Sequence, residues 1–295
     1  MGTRFEMALS GGSSAARSSA ELRAAGEAAW TEVTELHAMW SAFDPGSLLT
    51  RVNRLAAGRA VPVDGETFSI LVLAKDLWEA TEGAFDPTLG AQMRARGFRP
   101  DSLTDSGGGD DPSPGMAAVE LDRDAGTVRF LDRRVELDLG ALAKGYALDR
   151  VEKSLRESEV PCALIHGGNS GVVAIGTPPD SPGWPIALDR DGILPRAFLR
   201  DCSFSVSAGS GRVVDGEDGP QGHVLDPAGG DVGIDRFSAV VTDSAAVADA
   251  WATALLVLDR VPEAARDFSI ICGRTEGAVP AEVTLRQDPR GVFST

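Results

Sequence analysis

The chain has 295 residues, 43% of them hydrophobic and 24% charged, with 44 acidic against 28 basic side chains for a net charge of −16. That composition is ordinarily globular, and its sign excludes nucleic acid and anionic membrane surfaces as partners held by a general positive field. No run of about eighteen consecutive apolar residues occurs, so no membrane insertion is expected.

The opening, MGTRFEMALSGG, lacks the basic and apolar segments of a signal peptide, which points to a cytoplasmic location. Three cysteines, Cys162, Cys202 and Cys272, fall at no metal or redox spacing and read as buried free thiols.

In chain order, a short strand is predicted over 3–9. Apolar residues at three-to-four spacing (Leu22, Ala25, Ala29, Val33, Leu36, Trp40) predict a long helix from Ser19 to Phe43, stopped by SAFDPGS. A second helix runs from about Asp64, its expected N-cap, to Thr81, and ends at Gly83. Residues 104–115, TDSGGGDDPSPG, read as a flexible loop.

Strands follow over 117–123 and 127–132, turned at Asp124-Ala125-Gly126, and a third, Val135–Leu137, leads into a helix reaching about Ser158. The second half has predicted strands at 162–168, 184–189, 197–207 and 237–242, a strong helix from Ser244 to Leu258, a short helix near 262–267, and strands at 268–272 and 282–286. Helices and strands mix without strict alternation and no linker divides the chain, so the expected architecture is one α+β domain over 1–295.

Six stretches carry candidate chemistry, most of them at element ends, where ligand sites tend to be built. In EGAFDPTLG, Asp86 sits at a helix break beside Phe85. In LDLGALAKGYALD, Lys144 falls in the first turns of a helix, where the dipole opposes a cation. It therefore either shares an anion, snorkels to solvent, or pairs with Asp138 or Asp149.

The turn HGGNSG (166–171) follows an apolar strand, and serves either as a tight turn or as a close backbone approach to a ligand. SVSAGSGR (205–212) and GHVLDPAGG (222–230) are strand-to-turn junctions, the latter holding His223. In TDSAAVADAWATALLVL, Asp249 and Thr253 are four apart and share a helix face cleared by small alanines. They either present oxygens to a hard cation such as Mg²⁺ or sit on a packing helix.

Taken together, these blocks resemble the ApbE family, the FAD:protein FMN transferases. The resemblance is carried in order by Met1-Gly2-Thr3, by SLLTRVN (47–53), by GAFDPT (83–88), by LDLGALAKGYALD (137–149), by Gly167-Gly168-Asn169, by HVLDP (223–227) and by ADAWATAL (248–255). It covers nearly the whole chain. Two stretches depart from the family pattern: SAGSGR lacks the usual aromatic, and AGG follows HVLDP where RTG is usual.

The resemblance implies an α+β fold and a Mg²⁺-dependent transfer of FMN from FAD to a Thr or Ser hydroxyl of a target flavoprotein, releasing AMP. It implies FAD contacts at Met1, Gly2, Thr3, Ala84, Phe85, Asp86, Asp138, Lys144 and His223. It further implies Mg²⁺ held by Asp249, Thr253 and the Ala141 carbonyl, with Asp249 or His223 assisting the proton transfer. The alternative it leaves open is a homologue that binds FAD or hydrolyses its pyrophosphate without modifying a protein.

Overall fold

The computed structural model describes residues 4–11, 17–100, 111–187, 196–216, 219–230, 232–276 and 279–294. Met1, Gly2 and Thr3 lie outside the described residues, as do 104–110 of the expected loop. Six helices are described: α1 (Ser19–Trp40), α2 (Leu48–Leu55), α3 (Gly65–Ala80), α4 (Gly90–Ala95), α5 (Ala143–Glu157) and α6 (Ala245–Leu258).

The strands of the first half are β1 (Phe5–Ser10), β2 (Val61–Pro62), β3 (Val119–Asp122), β4 (Thr127–Phe130), β5 (Cys162–Gly167) and β6 (Gly171–Ile175). Those of the second half are β7 (Trp184–Ala187), β8 (Arg196–Leu199), β9 (Cys202–Ala208), β10 (Val213–Gly216), β11 (Gly219–Gly222), β12 (Arg236–Thr242), β13 (Ser269–Glu276), β14 (Val279–Gln287) and β15 (Phe293–Ser294).

A seven-stranded sheet in the order β1-β5-β6-β9-β12-β13-β14 forms the centre, and every neighbouring pair in it is antiparallel. Strand periodicity sorts its side chains. Val173, Ile175, Val240 and Ile270 join the larger core with α1, α3, α5 and α6. Val172, Ala174, Phe204, Ala239 and Val241 pack on the other face against the small β15-β8-β7 sheet through Ile186, Leu199 and Phe293. The architecture is thus α+β, as expected.

Capping chemistry sets the helix starts. Ser18 and Glu21 form a reciprocal capping box on α1, and Asp64 Oδ1 accepts the Thr67 N–H (2.8 Å) on α3. Several elements differ from the sequence reading. The 197–207 strand is two strands, β8 and β9, broken at Asp201, whose φ is +46° and whose carboxylate accepts the Gly176 N–H (2.9 Å). Val135–Leu137 is no ladder; only Glu136 pairs, as a parallel bridge to Leu89. Helices α2 and α4 and strands β2, β6, β10, β11 and β15 were not anticipated.

Where residues 111–115 are described, they are tied to the body. The Asp111 carbonyl accepts from Gln92 Nε2 (2.7 Å), and Ser113 Oγ meets Thr88 Oγ1.

Candidate active site

The site is built where α5, α6 and β9 meet. On α6, Asp249 and Thr253 face the sheet. On β9, Cys202 and Phe204 turn into the second core, which leaves Ser203, Ser205 and Ser207 on the α6 side. Ser205 Oγ donates to Asp249 Oδ1 (3.0 Å), and Ser207 Oγ lies 3.1 Å from Thr253 Oγ1, which also bonds the Asp249 carbonyl (3.2 Å).

Asp249 is only 4% exposed. Its charge is met by Lys144 Nζ, 2.8 Å from Oδ1, as burial of a carboxylate requires. Lys144 lies in the first turn of α5, where the helix dipole opposes a cation, so Asp249 compensates both effects. The anticipated partners are engaged elsewhere: Arg99 takes Asp138, and Asp149 caps α6.

Glycines open the space for this pair. A Cβ on Gly167 would press on Lys144 Cγ (3.2 Å), and one on Gly171 on Lys144 Nζ (3.0 Å). The HGGNSG turn therefore makes room for the lysine.

The helix start is irregular at the same point. Helix α5 begins at Ala143, so Ala141 precedes it. The Gly145 N–H, which a continued helix would give to the Ala141 carbonyl, donates instead to Asp249 Oδ2 (3.3 Å). The Ala141 oxygen is thereby freed from the helix ladder. Gly145 is also the crossing point of the two helices, since a Cβ there would overlap the Ala245 carbonyl oxygen.

Asp149, one turn further along α5, accepts from the Ala245 N–H (2.5 Å), the Ala246 N–H (3.0 Å) and Ser244 Oγ (2.7 Å) at the start of α6. Burial pushes its carboxyl up to about 6, against the downward pull of those three donors.

A second charged group adjoins the first along the 138–144 segment. Asp138 Oδ2 receives Arg99 Nε (2.6 Å) and Nη2 (2.5 Å), and its Oδ1 accepts the Gly140 N–H (2.7 Å). The Arg99 guanidinium also lies over the Phe43 ring, 4.9 Å from its centroid. The backbone here is clamped from two sides. Asn53 Oδ1 accepts the Leu137 N–H (2.8 Å) while its Nδ2 donates to the Leu137 carbonyl (2.9 Å), and the Asp138 N–H reaches the Pro87 carbonyl (2.7 Å).

That last bond brings the 84–88 segment alongside. Ala84 and Phe85 are core residues, Phe85 being 2% exposed, so a ligand would meet their backbone. Asp86 Oδ1 accepts from the Thr88 N–H (2.8 Å) and Thr88 Oγ1 (2.6 Å), and burial raises its pKa.

His223 stands edge-on to Phe98, 6.5 Å between centroids, and within electrostatic reach of Arg99 and Asp138. Burial lowers its pKa, so the ring is neutral near pH 7. Its Nδ1 accepts the Arg212 N–H (3.2 Å), which puts the ring proton on Nε2.

The structure thus brings together Lys144, Asp249 and Thr253 in one group, and Asp138 and His223 beside it through Arg99. Asp86 makes its own side-chain contacts apart from both. Arg99 and the parts played by Asn53, Ser205 and Asp149 were missed from sequence. In a chain so short of cations, Arg99 within RARGFRP was the available signal.

Among the described residues no three His, Cys, Asp or Glu side chains cluster as a metal site. The donors near Asp249 are one carboxylate, hydroxyls and a freed carbonyl. That set suits a hard, oxygen-seeking cation that keeps several waters. No helix among the described residues is long and apolar enough to cross a membrane.

Fold and site together define an α+β protein with a buried centre of one lysine, one carboxylate and several hydroxyls. The model of the ApbE family matches residues 1–269, and the chain belongs to that family. The FAD:protein FMN transferase of Rhodobacter capsulatus is 32% identical over 235 residues, 76% of this chain, and the chain spans 44% of that relative's length. The FAD:protein FMN transferase of Klebsiella pneumoniae is 30% identical over 70% of this chain and 67% of its own length.

Among solved structures, the ApbE protein of Thermotoga maritima superposes with a TM-score of 0.78 at 22% identity over 95% of this chain and 94% of its own. The flavin transferase ApbE of Vibrio cholerae also gives 0.78, at 20% identity over 99% and 96%. Both likenesses bear on the fold.

Proposed function

We propose that the chain transfers FMN from FAD to a Ser or Thr hydroxyl of a target flavoprotein, releasing AMP, with Mg²⁺ bound. The observation that carries this reading is the buried Lys144–Asp249 pair, 2.8 Å apart among the hydroxyls of Ser205, Ser207 and Thr253. Family membership and the names of the relatives support the substrate class.

In the proposed step the acceptor oxygen bonds to the FMN-side phosphorus as the P–O bond to AMP breaks. AMP leaves with the bonding electrons, and the hydroxyl proton passes to the Asp249 carboxylate. Such transfer depends on positioning and charge neutralisation.

Asp249, Thr253 and the Ala141 carbonyl would hold the Mg²⁺ ion, which when bound neutralises pyrophosphate charge. Lys144 adds fixed positive charge in a chain of net −16. His223, protonated at Nε2, is suited to donate to a phosphate oxygen rather than to act as a base. Arg99 neutralises Asp138 where a dinucleotide would lie.

The test incubates the protein with FAD, Mg²⁺ and a flavoprotein bearing an acceptor threonine. Flavin fluorescence on the target after denaturing electrophoresis, with AMP released in equal amount, is expected. AMP and free FMN with no labelled protein would establish pyrophosphatase chemistry instead.

A further inference from the structure

A cleft distinct from the Lys144–Asp249 group opens between α4, residues 111–112 and the turn after His223. Leu89, Gln92, Arg96, Pro112, Leu225 and Asp226 line it, around about 460 Å³ of open space. Leu89 follows Asp86 closely in the chain and Asp226 follows His223, so the cleft extends the candidate site beyond its histidine end.

Gln92 is the unusual member of the lining. It is 8% exposed, and its Nε2 donates to the Asp111 carbonyl (2.7 Å), yet its Oε1 is buried with no hydrogen-bond partner. A buried acceptor without a donor is costly and rare in folded proteins. A ligand N–H entering the cleft supplies the missing donor. Arg96, whose guanidinium carries N–H donors, lines the same cleft, as do the apolar Leu89, Pro112 and Leu225. An acceptor and a guanidinium between apolar walls match the edge of a planar nitrogen heterocycle, where an N–H adjoins ring acceptors.

We infer that this cleft seats one heteroaromatic end of the dinucleotide, with Gln92 Oε1 accepting an N–H from the ring edge. The inference rests on the reading that FAD is the substrate. FAD has two such ends, the flavin, whose N3–H lies between two carbonyls, and the adenine, whose amino group lies beside ring nitrogens. They share the recognised chemistry, and binding of the separate halves distinguishes them.

The experiment measures dissociation constants of FAD, FMN and AMP for the wild-type chain and for Gln92→Leu, which keeps the bulk and removes the acceptor. FAD and one of the two halves are expected to weaken by about tenfold or more, while the other half binds unchanged. An N3-methylated flavin, or the purine nucleotide lacking the amino group, should then bind both proteins alike.

Equal affinities of both proteins for all three ligands overturn the inference, as does equal weakening of both halves. In either case wild-type binding of FAD leaves the FAD reading standing, whereas a wild-type chain that binds no FAD overturns both. Circular dichroism checks the fold. Should Gln92→Leu not fold, Arg96→Met carries the test, with weakening of one half expected and unchanged affinities contradicting it.

Discussion

Lys144 Nζ lies 2.8 Å from Asp249 Oδ1, joining the first turn of α5 to the middle of α6 across 105 residues of sequence. The ammonium rests against the carboxylate that the proposed function gives to Mg²⁺. Removing it leaves a buried charge unpaired, at a cost of about 3–5 kcal/mol. Lys144→Met is therefore expected to melt well below the wild type in metal-free buffer, and added Mg²⁺ to recover much of the loss by binding the native state. Thermal melts with and without MgCl₂ decide the matter, and a variant indifferent to Mg²⁺ would remove Asp249 from any metal site.

Gly145 lets α5 and α6 cross at the Ala245 carbonyl. Gly145→Ala forces the helices apart, and overpacking of this kind costs about 1–3 kcal/mol. Because the Gly145 N–H also holds Asp249 Oδ2, flavin transfer should fall more steeply than stability. Chemical denaturation alongside the transfer assay separates the two, and full activity in a destabilised variant would contradict this geometry.

Asp149 ties the start of α6 to α5 with a carboxyl that burial pushes up to about 6. Between the ordinary carboxylate range and that value, the folded chain holds a proton that the unfolded chain has released. The contribution of this group to stability therefore falls as pH rises from about 4 to about 6. Asp149→Asn is expected to flatten that part of the stability profile. Asp149→Ala, which leaves three donors unmet, should cost about 2 kcal/mol or more. Equilibrium unfolding at stepped pH measures both, and an identical slope in Asp149→Asn would refute the assignment.

Much of the fold could be read from sequence. Apolar spacing located α1, a strong helix was expected over the residues of α6, and Asp64 and Gly83 marked the ends of α3. Helix α2 escaped because eight residues give too short a periodic signal. The β8–β9 break rests on a single left-handed Asp201, which hydropathy does not register. In the candidate site, the Asp249–Thr253 spacing was local and therefore visible. The partner of Lys144 was not, since a contact across 105 residues leaves no mark in local spacing. Nor did sequence show that Asp138 belongs to Arg99, or that Gly167 and Gly171 of HGGNSG accommodate a lysine.

His223 carries its ring proton on Nε2, because Nδ1 accepts the Arg212 N–H at 3.2 Å. Burial lowers its pKa, so the neutral ring persists below the ordinary titration point near 6.5. As pH falls from there, the unfolded chain takes up the proton first, and the stability this group contributes declines. Nitrogen NMR of the labelled imidazole is expected to report a pyridine-type Nδ1 at pH 7. A protonated Nδ1 would restore His223 as a candidate base.

The most direct measurement compares wild type with Asp249→Asn in labelling a threonine-bearing flavoprotein from FAD and Mg²⁺, with circular dichroism confirming the fold. Loss of the carboxylate's charge is expected to lower the labelling rate by about 10²-fold or more, with the helical signal unchanged. Labelling at the wild-type rate by the folded variant would contradict the central claim that Asp249 organises phosphoryl transfer here.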